Sequence, residues 1–287
     1  MTTTSEETLS TQGTEVSYER DGVAQPLPAR RLFTVPTRRN PKLARMLDEV
    51  NGDQRLVQLW RCANVNAVDR SGMSDHGPVH IQIVANLALK LCRLLHAADM
   101  TFSVTTNYGV EYEDAEIIVL LGVALHDIGM SVHRHEHELY SFVLGAPIAR
   151  DLLSSIYEEP LLTIMASETM HAVVSHRSDE TTYTLEAGVV KVADALDMTQ
   201  GRSRIPFQLG AVNIHSLSAA AIERVKVGAG REKPICVEVL MNNSAGLYQL
   251  DELLKPKIQS STLARLVEVE ARIESETEKR LLQVYSV

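Results

Sequence analysis

The chain has 287 residues, 45% of them hydrophobic, with a formal charge of -9 and a pI near 5.6. That supplies enough apolar material for a sizeable core, and it is too acidic for the broad basic face that duplex nucleic acid requires. A small anionic substrate stays open, because a bound metal ion can dominate the charge of a local pocket.

The first 30 residues, beginning "MTTTSEETLS", are polar and lack the basic start and apolar centre of a secretory signal. They predict a disordered tail on a protein of the reducing cytoplasm. From Pro41 to Ala67 the pattern reads as two short amphipathic helices broken at Asn51-Gly52. Cys62, Cys92 and Cys236 are isolated and form no CxxC pair, so neither a disulfide framework nor structural zinc is expected. Gly77-Pro78 opens the next helix, which runs to about Ala98 and sets His80 on one stripe with Val84, Leu87, Leu91 and Leu94.

Glu113 to Asp127 predicts a central buried helix: acids in its first turn, apolar residues on every side from Ile117, and Gly129 to end it. Its longest apolar run, Ile117 to Leu125, is too short to span a bilayer, so no membrane insertion is expected. His126 and Asp127 fall in the last buried turn, where an unpaired carboxylate is costly. A helix from about Arg134 carries His133, His137 and Tyr140 one turn apart until Pro147 interrupts it. Another opens at Pro160 and carries His171 and His176, and the next, "TLEAGVVKVADALDMT", sets Asp194 in a row with Ala187, Val190 and Met198. After Pro206 the period becomes that of strands, at 222–227, 234–241 and 265–274, with "LYQLDELLKPK" as a helix between the last two. The expected organisation is a tail over 1–30, a mainly α helical domain over 31–207 and a small α+β appendage over 208–287.

A single histidine on an apolar stripe is more often a hydrogen-bonded core residue than a ligand. Here His80, His126, Asp127 and Asp194 all come from helices that must pack together, and a shared divalent cation would satisfy them at once. A buried His–Asp hydrogen-bond network is the plainer alternative. The segments "DHGPVHIQIV", "ALHDIG", "HEHELYS", "VVSHRSDE" and "VVKVADALD" follow the order His, His-Asp, further His, then Asp. In this the chain, over about residues 70 to 205, resembles the HD superfamily of metal-dependent phosphohydrolases.

The resemblance implies an all-α fold with a first metal held by His80, His126, Asp127 and Asp194. In members with two metals Asp127 bridges to the second, for which His137 and His176 match the family positions best. One or two divalent transition-metal ions are expected, Mn, Fe, Co, Ni or Zn, since mixed His and carboxylate ligation suits these better than Ca. Such a centre acidifies a bound water and draws charge from a phosphoryl oxygen, so a phosphate ester, by the superfamily's habit a nucleotide or cyclic nucleotide, is the expected substrate. Asp127 would orient the attacking water, with His133 or His137 protonating the leaving oxygen if not a ligand.

The remaining assignments are looser. His171, five residues before His176, lies about 140° from it on a helix and is the second choice there, as a substrate contact. His133 reads equally as ligand, general acid or exposed residue; His76 is a weaker candidate, and His135, His96 and His215 go to surface or ordinary packing. Arg202 and Arg204, just past Asp194, fit phosphate through the guanidinium fork or simply solvate a helix end; Lys191 is read as the latter. A di-iron oxygenase of the same fold and a non-catalytic ligand-binding regulator are the competing functions. The alternating acids of "RLVEVEARIE" suggest a sheet edge completed by a second subunit, hence a homodimer, or a brace for the helices.

Overall fold

The computed structural model describes residues 33–199, 214–274 and 285–286. The expected disordered tail lies outside the described residues. Two helices open the fold, α1 (Pro41–Gly52), capped by the Asn40 side chain, and α2 (Gln54–Asn64), capped by Asp53. The break falls at Asp53 because its carboxylate accepts from the Arg55 and Leu56 amides. α2 runs on into a π-helical turn, Val65–Arg70.

The next helix, α3 (Pro78–Ala97), begins where the Asp75 carboxylate accepts from the Gly77 and His80 amides, both at 3.1 Å. It is long and apolar enough to cross a membrane by length and composition alone, yet half of that stretch is buried in this protein. A short helix, α4 (Ser103–Tyr108), leads to α5 (Tyr112–Leu125), which opens on a capping box between Glu111 and Asp114. Every residue of α5 from Asp114 to Leu125 is buried, and each of its large aliphatic side chains contributes about 1.5–3 kcal/mol. α1 and α3 pack on it, as do α7 (Leu161–Val174) and α8 (Leu185–Ala195).

Two helix boundaries depart from expectation. α5 ends at Leu125 with His126 as its cap, and a 3-10 turn, Ile128–Ser131, follows. Gly129 lies inside that turn, where a Cβ would sit 2.0 Å from the His137 carbonyl oxygen and 2.5 Å from the Ser141 nitrogen. It serves a close backbone approach and is not a stop signal. The helix after it, α6 (His137–Leu153), continues through Pro147. The carbonyl that proline leaves without a helical partner belongs to Val143, an exposed residue, where solvent can serve it.

Beyond α9 (Ile214–Ala220) lie β1 (Ile222–Ala229), β2 (Ile235–Met241) and β3 (Val267–Ile273), with a two-residue β4 (Tyr285–Ser286). The order is β1-β2-β3-β4, with β2 and β3 parallel and the outer pairs antiparallel. β3 therefore pairs on both sides and is not the edge its alternating acids suggested. Ile235, Val237 and Val239 face inward with Val267, Val269 and Ala271, and β1 and β2 pack on α3. The parallel β2–β3 pair needs a crossover, and it is made by a π-helical turn, Gln249–Leu254, and α10 (Lys255–Gln259), which packs on α8.

The crossover is pinned. Thr182 N–H donates to the Ser260 carbonyl at 3.2 Å, Thr262 N–H to Thr182 Oγ1 at 2.9 Å, and Thr262 Oγ1 to the Thr184 carbonyl at 3.0 Å. Gly188 on α8 lets it close in: a Cβ there would meet Thr262 Oγ1 at 2.2 Å.

Candidate metal centre

Four helix ends and one loop bring six side chains to one place. His80 comes from the first turn of α3, His126 and Asp127 from the end of α5, His137 from the start of α6, His176 from just beyond α7, and Asp194 from the last turn of α8. All are buried except Asp194, whose side chain is 13% exposed. They form two sets whose ligand atoms lie within 4.8 Å of one another: His80, His126 and Asp194, and Asp127, His137 and His176.

The Asp127 carboxylate joins the sets. Its Oδ2 lies 3.3 Å from His126 Nε2 and 3.5 Å from His80 Nε2, and its Oδ1 lies 3.2 Å from His137 Nε2 and 3.8 Å from His176 Nε2. Asp194 Oδ1 stands 3.3 Å from His80 Nε2 and 3.7 Å from His126 Nε2. Ligand atoms held at about 2.0–2.2 Å by one transition-metal ion lie about 3.0–3.6 Å apart, so both sets have close to the spacing of a coordination shell.

The tautomers favour the same reading. Each ring commits Nδ1 to an acceptor: His80 to Asp197 Oδ2 at 2.6 Å, His126 to the Val123 carbonyl at 2.8 Å, His137 to the Arg134 carbonyl at 3.1 Å and His176 to the Val173 carbonyl at 2.5 Å. That puts the proton on Nδ1 and aims the Nε2 lone pair inward. His80 and His126 then face each other Nε2 to Nε2 at 3.3 Å, as do His137 and His176. Two lone pairs so placed repel unless a cation lies between them. With Nδ1 committed, a plain hydrogen-bond network would need one ring of each pair to carry a second proton on Nε2, the place a metal ion would take.

The electrostatics express the same demand. Burial works to lower the pKa of His126, but Asp127 and then Asp194 outweigh it and hold it up at about 9. Burial opposes ionisation of both aspartates; His126 overcomes it at Asp127 and Lys257 leads at Asp194, leaving both well below the usual carboxylate range. His176 is pushed well below the usual histidine value by burial, then by the charges of His126 and His137. A cation is favoured between these side chains, and a divalent ion meets that need with the donor set present.

The other sequence-derived candidates are placed differently. His133 is exposed, outside both sets, and its Nδ1 accepts from the His135 amide at 3.0 Å. His171 has both nitrogens engaged, Nδ1 with Ser175 Oγ at 3.1 Å and Nε2 with the Tyr183 amide at 3.1 Å, so its ring braces a turn instead of facing a ligand. The helical angle between His171 and His176 does not apply, since α7 ends at Val174. His76 is buried, its ring centre 5.7 Å from that of His80 and its Nδ1 at the Ser74 carbonyl. His135 is exposed, and His96 stacks on Tyr112. Lys191 is fully buried, not solvated at a helix end, and its ammonium donates to the Glu180 carbonyl. Arg202, Arg204 and the His215 side chain lie outside the described residues.

Three contributors escaped the sequence reading. Asp197, one turn past Asp194, orients His80. Ser141 Oγ accepts from the Gly129 amide at 2.8 Å and donates to the His126 carbonyl at 2.6 Å, tying α6 to the His-Asp corner. Lys257, on α10, pairs with Asp194 Oδ2. Asp197 had one available signal, its spacing from Asp194; the other two had none.

A helical core that delivers paired histidines around a bridging aspartate defines a buried metal-binding protein. Residues 79–199 match the HD domain family. The chain is also 42% identical over 236 residues to the uncharacterized protein MJ1020 of Methanocaldococcus jannaschii, covering 82% of this chain and 90% of that one. No solved structure matches it. The chain belongs to the HD domain family, within the superfamily of metal-dependent phosphohydrolases.

Proposed function

We propose that this protein hydrolyses a small phosphate ester, a nucleotide or cyclic nucleotide, at a centre of two divalent transition-metal ions. The observation that carries the proposal is the Asp127 carboxylate, which turns one oxygen to each histidine set. Bound there, two ions would acidify a water and withdraw charge from a phosphoryl oxygen. His80, His126 and Asp194 would hold one and His137 and His176 the other, with Asp127 shared. Asp197 and the backbone carbonyls keep the imidazoles in the required tautomer. With His137 among the ligands, protonation of the leaving oxygen falls to His133 at the surface or to solvent. The nucleotide rests on the habit of the superfamily.

The test is manganese-dependent hydrolysis across phosphomonoesters, phosphodiesters and nucleotides, comparing the native protein with Asp127→Ala. Turnover that falls by at least about a thousandfold in the variant supports the proposal and names the ester class. A native protein that holds metal and turns over none of the panel contradicts it.

A further inference from the structure

A centre that takes an anionic ester needs a cation where the substrate enters, and the chain as a whole is acidic. Asp194 is the most exposed of the six clustered side chains, so the cluster approaches solvent on that side. Lys257 stands there. Its ammonium contacts Asp194 Oδ2, the oxygen turned away from the histidines, and its side chain is 17% exposed. Its charge also bears on His176, in the second set.

Lys257 lies beyond the residues matched to the HD family, on the crossover between β2 and β3. Its position is fixed by the backbone: α10 rests on α8, Ser260 and Thr262 are hydrogen-bonded to Thr182 and Thr184, and Gly188 admits the close approach. Arg177, next to His176, is the contrasting case, since Asp179 at 2.6 Å and Glu136 at 3.3 Å already balance its charge. Among the described residues Lys257 pairs with Asp194 alone, a carboxylate whose other oxygen faces His80 and His126. Once that carboxylate also serves a divalent ion, the lysine keeps positive charge that an incoming anion balances.

We propose that Lys257 is the phosphate-recognising cation of the site, delivered by the C-terminal crossover. The inference rests on the phosphohydrolase reading above and gives the α+β region a part in substrate binding. A lysine ammonium suits this position as a compact charge with three donors, able to keep Asp194 and add a phosphoryl oxygen.

Inorganic phosphate is the probe, titrated calorimetrically into the manganese-loaded full-length protein, with metal content measured on the same samples. Lys257→Met is expected to keep its metal, weaken phosphate binding about 10- to 100-fold and raise KM on any hydrolysed ester by a similar factor, with kcat changed less than about threefold. Lys257→Arg should restore phosphate binding to within about threefold of the native value. Lys257→Gln replaces the methionine variant should that one fold poorly by circular dichroism. Unchanged phosphate affinity in a variant that retains metal overturns the proposal. So does loss of metal in the variant, which would make Lys257 a support for Asp194 alone, or a native protein that holds metal and binds no phosphate. Failure of the native protein to hydrolyse any ester counts against the phosphohydrolase reading, while the phosphate isotherms still decide the role of Lys257.

Discussion

Lys191 shows how a residue read from its neighbours in sequence can be misplaced. Its side chain is fully buried on α8, and burial, followed by the charge of Lys257, lowers its pKa to about 8. An unfolded lysine titrates near 10.4, so between about pH 8 and pH 10.5 the unfolded state binds more protons, and stability rises with pH through that window. Below pH 8 both states carry the charge and the cost of burying it is paid in full. Lys191→Met should therefore stabilise the protein at pH 7, by about 2 kcal/mol once the lost bond to the Glu180 carbonyl is set against it. The gain should shrink towards zero by about pH 10.5. Denaturant unfolding of both proteins at pH 7 and pH 10 measures it, and a gain that does not diminish with pH would show that the buried charge is not its source.

At the scale of elements, the site depends on how closely chain segments approach one another. Gly129 lets the 3-10 turn after Asp127 lie against the first turn of α6, where the clashing atoms are backbone and cannot swing aside. Gly129→Ala should cost about 3 kcal/mol and displace His137 from Asp127. A thermal melt together with metal content checks both parts; on the two-ion proposal, the ion beside His137 is lost first. Full stability and full metal content in that variant would mean that the turn and α6 are looser than their contacts indicate.

Across the whole molecule, the helical core and the cluster were legible because polar residues on apolar stripes stand out. His80, His126, Asp127 and Asp194 each break a pattern that the surrounding residues establish, and resemblance to a family added His137 and His176. What was not legible arises from distance. Asp197 meets His80 across 117 residues, with its spacing from Asp194 as the one local sign, and Lys257 meets Asp194 across 63 with no sign in its own segment. Gly129 was noticed but given the wrong role, because a stop signal and a close approach look alike in one dimension. His171 was set second to His176 by a helical angle that does not apply, since α7 ends two residues before His176.

The central claim is that Asp127 lies between two metal ions. Anomalous diffraction from crystals grown with manganese tests it most directly. The account predicts two peaks about 3.5–4 Å apart, one among His80, His126 and Asp194 and one beside His137 and His176, with an Asp127 oxygen directed at each. A single peak, or none at these side chains in manganese-saturated crystals, would contradict it.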